Sequence, residues 1–93
     1  MITYNGQVNH RTVETGTHEI RSFLEWLIAQ GALTLDPNGT VEIADLYGRY
    51  TQATPDPMTR NMFGRCLTAL GSPTIYRDRR PALRGGLRFV PAS

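Results

Sequence analysis

The apolar positions of this chain first recur at helical spacing. Ile20, Phe23, Leu24, Leu27 and Ile28 fall at i, i+3, i+4, i+7 and i+8, one stripe of an amphipathic helix. Thr17 stands where an N-cap hydroxyl is needed and Gly31 where a helix ends, so the spacing predicts a first helix between them. Trp26 falls off the stripe and is expected to cover a flank of the core. Two short β-prone runs, ALTL and TVEI, then flank the strong turn sequence Asp36-Pro37-Asn38-Gly39. Either they pair as a hairpin or only residues 41–43 form a strand. A second helix is expected over residues 44–52, with Ile43, Leu46, Tyr47 and Tyr50 inward and Asp45 suiting the helix dipole. Gly48 weakens it, and Pro55 and Pro57 must end it.

The pattern then predicts a third helix from an N-cap at Thr59 to Leu70, stopped by Gly71. Phe63, Cys66, Leu67 and Leu70 form its inward face. At about 100° per residue, Asn61, Arg65 and Thr68 fall on the opposite face, with Gly64 beside them and Arg60 at the entrance. Residues 74–79 and 86–90 are β-prone and are joined by residues 80–85, which predicts a hairpin with arginines at its tip. Ahead of the first helix, residues 2–4 and 7–9 flank an Asn5-Gly6 turn signal, so residues 1–16 are an N-terminal extension, either a hairpin or a disordered segment. The order helix, strand, helix, helix, strand, strand predicts one α+β domain over residues 17–90. Its architecture is a winged helix-turn-helix, three helices with a C-terminal β-hairpin wing, followed by a tail of residues 91–93.

Composition narrows what such a domain does. Ninety-three residues support one modest core and no separate catalytic domain beside it. No run approaches the roughly 18 apolar residues that span a bilayer, and the N-terminus lacks the basic and apolar regions of a secretory signal, so a cytoplasmic location is expected. Cys66 is the only cysteine, which excludes an internal disulfide and a cysteine-based zinc site and makes it a small core residue. His10 and His18 are too few and isolated for a metal site, and no glycine-rich phosphate loop of the Walker type occurs. Glu14 and Glu19 fall near a helix start, where acids are favoured on electrostatic grounds alone. No cofactor, metal or catalytic residue is expected, and the chain is read as non-enzymatic.

Charge is strongly segregated. Residues 1–59 hold three arginines against seven acids, a balance of −4, whereas residues 60–93 hold seven arginines against Asp78 alone, a balance of +6. There is no lysine, so every cation is a planar guanidinium able to pair bidentately with phosphate or with a guanine edge. On the third helix, Arg65, Asn61 and Thr68 are the candidate base readers, with Arg60 placed for a phosphate near the helix N-terminus. Arg77, Arg79, Arg80, Arg84 and Arg88 bracket the hairpin turn and are the candidate phosphate contacts. Asp78 can pair locally with Arg77 or Arg80. Charge on a hairpin edge also guards against edge-to-edge association, whatever its binding role.

The pieces VEIADLYGRY, MTRNMFGRCLTALG, YRDRR and RGGLRF, spread over residues 41–89, resemble the winged-helix DNA-binding module at the C-terminus of phage and plasmid primase-helicase proteins. The matching positions are Leu46, Tyr47 and Tyr50, then Phe63, Gly64, Leu67 and Gly71, then Arg79, Arg80, Gly86, Leu87 and Arg88. The chain departs from that pattern at Ala44, where a Ser or Thr cap is common, and at Ala53 and Leu83, where aromatics are common. The primase and ATPase domains that usually precede the module are absent from these residues, so the family's enzymatic work is not implied.

The resulting expectation is a small double-stranded DNA-binding protein of phage or mobile-element origin, acting in replication, transcriptional control or excision. The alternative is a protein-binding winged helix that docks on a host or replication partner, with the acidic N-terminal half and Trp26 as a second surface. A homodimer reading paired half-sites is left open by either expectation.

Overall fold

A computed structural model of the chain describes residues 12–91. The expected N-terminal hairpin, His10 and tail residues 92–93 lie outside that span. Helix α1 runs Val13–Ala29, strand β1 Leu33–Glu42, helix α2 Ile43–Ala53, helix α3 Arg60–Ala69, strand β2 Thr74–Arg77 and strand β3 Arg80–Phe89. The three strands form one antiparallel sheet in the order β1-β3-β2, so β3 is central. The chain is therefore a small α+β fold with three helices and a three-stranded sheet.

Helix α1 is capped at Thr12, five residues ahead of the expected Thr17. The Thr12 hydroxyl accepts from the Thr15 amide at 3.0 Å while the Thr15 hydroxyl accepts from the Thr12 amide at 3.2 Å, a reciprocal cap that satisfies two otherwise free donors. Thr17 lies inside the helix. The extra turn docks on α3 through Gly16, the one buried residue in it: a Cβ there would lie 2.7 Å from Cys66 Sγ. Cys66 is fully buried and its thiol points to the Val13 carbonyl at 3.8 Å, the core position expected for it. Of the predicted stripe, Ile20, Phe23 and Leu27 are buried and Leu24 packs against them, but Ile28 stays exposed at the margin.

The ALTL and TVEI runs neither form a hairpin nor leave a single short strand. Both feed β1, with Leu33, Thr34 and Leu35 opposite Phe89, Arg88 and Leu87, and Thr40, Val41 and Glu42 opposite Gly85, Arg84 and Leu83, while Ile43 opens α2 instead of ending a strand. Residues 36–39 bulge out between the two halves, facing Gly86 alone. Asp36 folds the bulge by accepting from the Asn38 amide at 3.0 Å. Gly39 sits where a Cβ would meet the Leu87 carbonyl oxygen at 2.7 Å.

Two tyrosines of α2 fix how α3 follows it. Tyr47 Oη donates to the Met58 carbonyl at 2.8 Å and Tyr50 Oη accepts from the Met58 amide at 3.1 Å, so both backbone groups of a buried loop residue are satisfied. Tyr50 also donates to Glu19 of α1, which ties all three helices together. Its ring stacks on Phe63 at 5.1 Å and meets Phe23 edge-on at 5.6 Å. Leu33, Val41 and Leu87 close this core from the sheet side. No helix among the described residues is long and apolar enough to cross a membrane.

The C-terminal hairpin turns earlier than its composition suggests. Arg77 pairs with Arg80, so the turn is Asp78-Arg79, and residues 80–85, expected as the connecting loop, form the first half of β3. Between the pairs Ile75–Leu83 and Arg77–Arg80, residues 81 and 82 together oppose Tyr76, a bulge of the kind that accommodates a proline in a strand. The left-handed backbone at the turn falls on Arg79, φ 58°, rather than on a glycine.

Candidate nucleic-acid interface

Helix α3 starts at Thr59, whose hydroxyl accepts from the Met62 amide at 3.2 Å, and closes at Gly71 with φ 93°. Phe63, Cys66 and Leu67 anchor it, which leaves Arg60, Asn61, Arg65 and Thr68 exposed, as the helical period requires. These four line a shallow depression together with Ile43, Gly64 and Arg84. Arg60 and Arg65 make no ion pair among the described residues. The face thus offers two open guanidinium groups and a carboxamide within one helical surface.

Arg84 departs from the sequence expectation. Grouped with the solvent-facing phosphate contacts by its position in a predicted loop, it is only 6% exposed. Its Nη1 donates to Thr68 Oγ1 at 2.8 Å and to the Ser72 carbonyl at 3.0 Å, and its Nη2 donates to the Gly64 carbonyl at 3.0 Å. The side chain is a rivet between the central strand and α3. Gly64 is required by this crossing, because a Cβ there would stand 2.9 Å from Arg84 Nη2. Burial pushes the Arg84 pKa below the ordinary arginine value, with Tyr76 acting in the opposite sense. Among the described residues the buried Arg84 Nε has no hydrogen-bond partner, so the two terminal nitrogens carry the attachment. Thr68 is exposed, but its hydroxyl is committed within the fold, donating to the Gly64 carbonyl at 3.1 Å and accepting from Arg84.

The remaining arginines of the β2–β3 hairpin divide by strand face. Side chains alternate across a strand, and Arg84 faces the helices, so Leu83 and its cross-strand partners Glu42 and Ile75 lie on the far face, with Arg77 two residues beyond Ile75. Arg77 accordingly pairs with Glu42 at 3.2 Å, not with Asp78. Arg88 also lies on the outer face and pairs with Asp36 of the β1 bulge at 3.1 Å, while its neighbour Phe89 turns inward beneath the Arg49 guanidinium at 4.1 Å. Arg79 and Arg80, at the hairpin tip, are exposed and without an ion pair among the described residues.

Of nine residues selected from sequence, α3 brings Arg60, Asn61, Arg65 and Thr68 onto one face, the hairpin tip presents Arg79 and Arg80, Arg77 and Arg88 are paired on the outer sheet face, and Arg84 is interior. Sequence reasoning passed over Tyr76, which is 85% exposed on β2. Its signal was visible only as an aromatic in a run of arginines, since a tyrosine in a β-prone segment ordinarily reads as a half-buried strand residue. No family model, curated protein or solved structure matches the chain.

Proposed function

We propose that this chain is a winged-helix protein that binds double-stranded DNA without catalysing a reaction. Helix α3 lies in the major groove and the β2–β3 hairpin, the wing, meets the adjacent backbone. The observation that carries this reading is the set of exposed arginines without an ion pair among the described residues, Arg60 and Arg65 on α3 and Arg79 and Arg80 at the hairpin tip, beside Arg77, Arg84 and Arg88, which are all engaged. Arg65 reads guanine and Asn61 adenine by bidentate hydrogen bonds, while Arg60, Arg79 and Arg80 neutralise phosphates. With Thr68's hydroxyl committed to Gly64 and Arg84, its contribution to base reading is secondary.

The test is titration of the full chain against a random-sequence duplex over a range of salt concentrations. Three phosphate-reaching cations give a slope of log affinity on log salt of about −3. A salt-independent affinity, or no binding at low salt, defeats the reading. Binding-site selection checks the reader: Arg65→Ala relaxes guanine preference at one position, worth about 1–3 kcal/mol. The origin of the chain in a phage or mobile element, with a role in replication, transcriptional control or excision, is part of the same proposal.

A second reading, docking on a protein partner, is favoured by Trp26, which is 49% exposed while stacked on Phe23 at 6.2 Å. Fluorescence of this single tryptophan, unchanged by DNA and shifted by a candidate replication protein, would support that surface as separate from α3.

A further inference from the structure

Tyr76 is the most exposed large apolar side chain among the described residues. Thr74 faces Arg84 across the β2–β3 ladder, and residues two apart on a strand share a face, so Tyr76 lies on the α3 side of the hairpin. It sits one pleat beyond the point where Arg84 fastens the sheet to Gly64 and Thr68. The bulge at Pro81 and Ala82 lies directly opposite and adds twist to the strand pair there. Among the described residues no aromatic ring or cation packs on the phenol ring.

A large ring left in water forgoes the stabilisation that burial would supply, and an exposed strand edge is ordinarily kept polar. The surroundings identify what would cover it. Arg79 and Arg80 follow within four residues, and the α3 rim beside it is polar and cationic. The apolar side chains of Ile75 and Leu83 lie on the other sheet face, away from the ring. A flat π-face among guanidinium groups fits a nucleotide, with the base on the ring and its phosphates on the arginines. Within a continuous duplex the faces of each base are covered by its neighbours. A base face is open only where pairing stops.

We infer that Tyr76 stacks on the first unpaired base where a duplex passes into a single strand, so that such a junction, rather than uninterrupted duplex, is the preferred ligand. This rests on the duplex-binding reading of α3. Arg79 and Arg80 hold the phosphates of the strand carrying the stacked base.

The experiment compares a blunt duplex with the same duplex bearing an unpaired tail, by fluorescence anisotropy with the full chain. A second probe carries 2-aminopurine at the first unpaired position. Wild type binds the tailed duplex more tightly, on the order of tenfold, and quenches 2-aminopurine. Tyr76→Phe preserves both effects because the ring remains. Tyr76→Ala removes both and leaves blunt-duplex affinity unchanged. Equal affinity of wild type for the two duplexes overturns the junction proposal while the duplex reading stands. So does a tail preference that survives in Tyr76→Ala, because the ring is then not its source. Failure to bind either DNA overturns both.

Discussion

The base and the tip of the C-terminal hairpin carry the same residue type in opposite settings. At the base, Arg84 is enclosed and makes three hydrogen bonds, two to carbonyl oxygens and one to a hydroxyl, with no carboxylate among them. At the tip, Arg79 and Arg80 stand in solvent, and Arg79 holds a left-handed backbone that an L-residue adopts at a cost of about 1 kcal/mol. The base arginine shapes the surface and the tip arginines present charge on it. A guanidinium with its terminal nitrogens committed to the fold cannot also clamp a phosphate, so a count of basic residues overstates the interface.

The largest expected effect lies at the base. Arg84→Ala strips partners from the buried Gly64 and Ser72 carbonyls and leaves a cavity, lowering stability by about 3 kcal/mol in urea denaturation. A loss below about 0.5 kcal/mol, the range of ordinary surface substitutions, would remove the distinction between base and tip. Gly64→Ala probes the same crossing from the helix side. Its Cβ displaces the Arg84 guanidinium and costs about 1–3 kcal/mol, read in the same assay. Combining it with Arg84→Ala should cost less than the sum, because the clash disappears with the side chain.

The tip behaves the other way. Replacing Arg79 and Arg80 together by alanine leaves stability nearly unchanged but makes the salt slope of duplex binding shallower by about 2. Unaltered affinity and slope would show that the hairpin does not touch the backbone. Arg79→Gly sharpens the contrast with the smallest effect. It relieves the left-handed strain and raises the denaturation midpoint, by up to about 1 kcal/mol in stability, while weakening DNA binding. A stability loss on that substitution would mean the Arg79 side chain packs as Arg84 does.

How far the fold could be read from the chain depended on whether a signal was local. Helix α3 matched its expected limits because Thr59, the Phe63-Cys66-Leu67 spacing and Gly71 are a cap, a stripe and a stop within one segment. Helix α1 began early because its first turn relies on Thr12 pairing with Thr15 and on Gly16 meeting Cys66, a contact 50 residues away in sequence. Strand β1 hid behind Asp36-Pro37-Asn38-Gly39, which reads as a turn and here forms a bulge because both flanking runs find the same partner, β3.

The sequence by itself determined the order of elements, the polar face of α3, the segregation of arginines into the last third and the absence of any paired cysteine. Tertiary structure alone decided which arginines remain open. Strand side chains alternate with a period of two, so the face each residue occupies depends on where the hairpin turns and where its ladder bulges. Moving the turn from residues 80–85 to Asp78-Arg79 converts Arg84 from a loop cation into the interior fastening between β3 and α3, and leaves the tip to Arg79, Arg80 and the exposed ring of Tyr76.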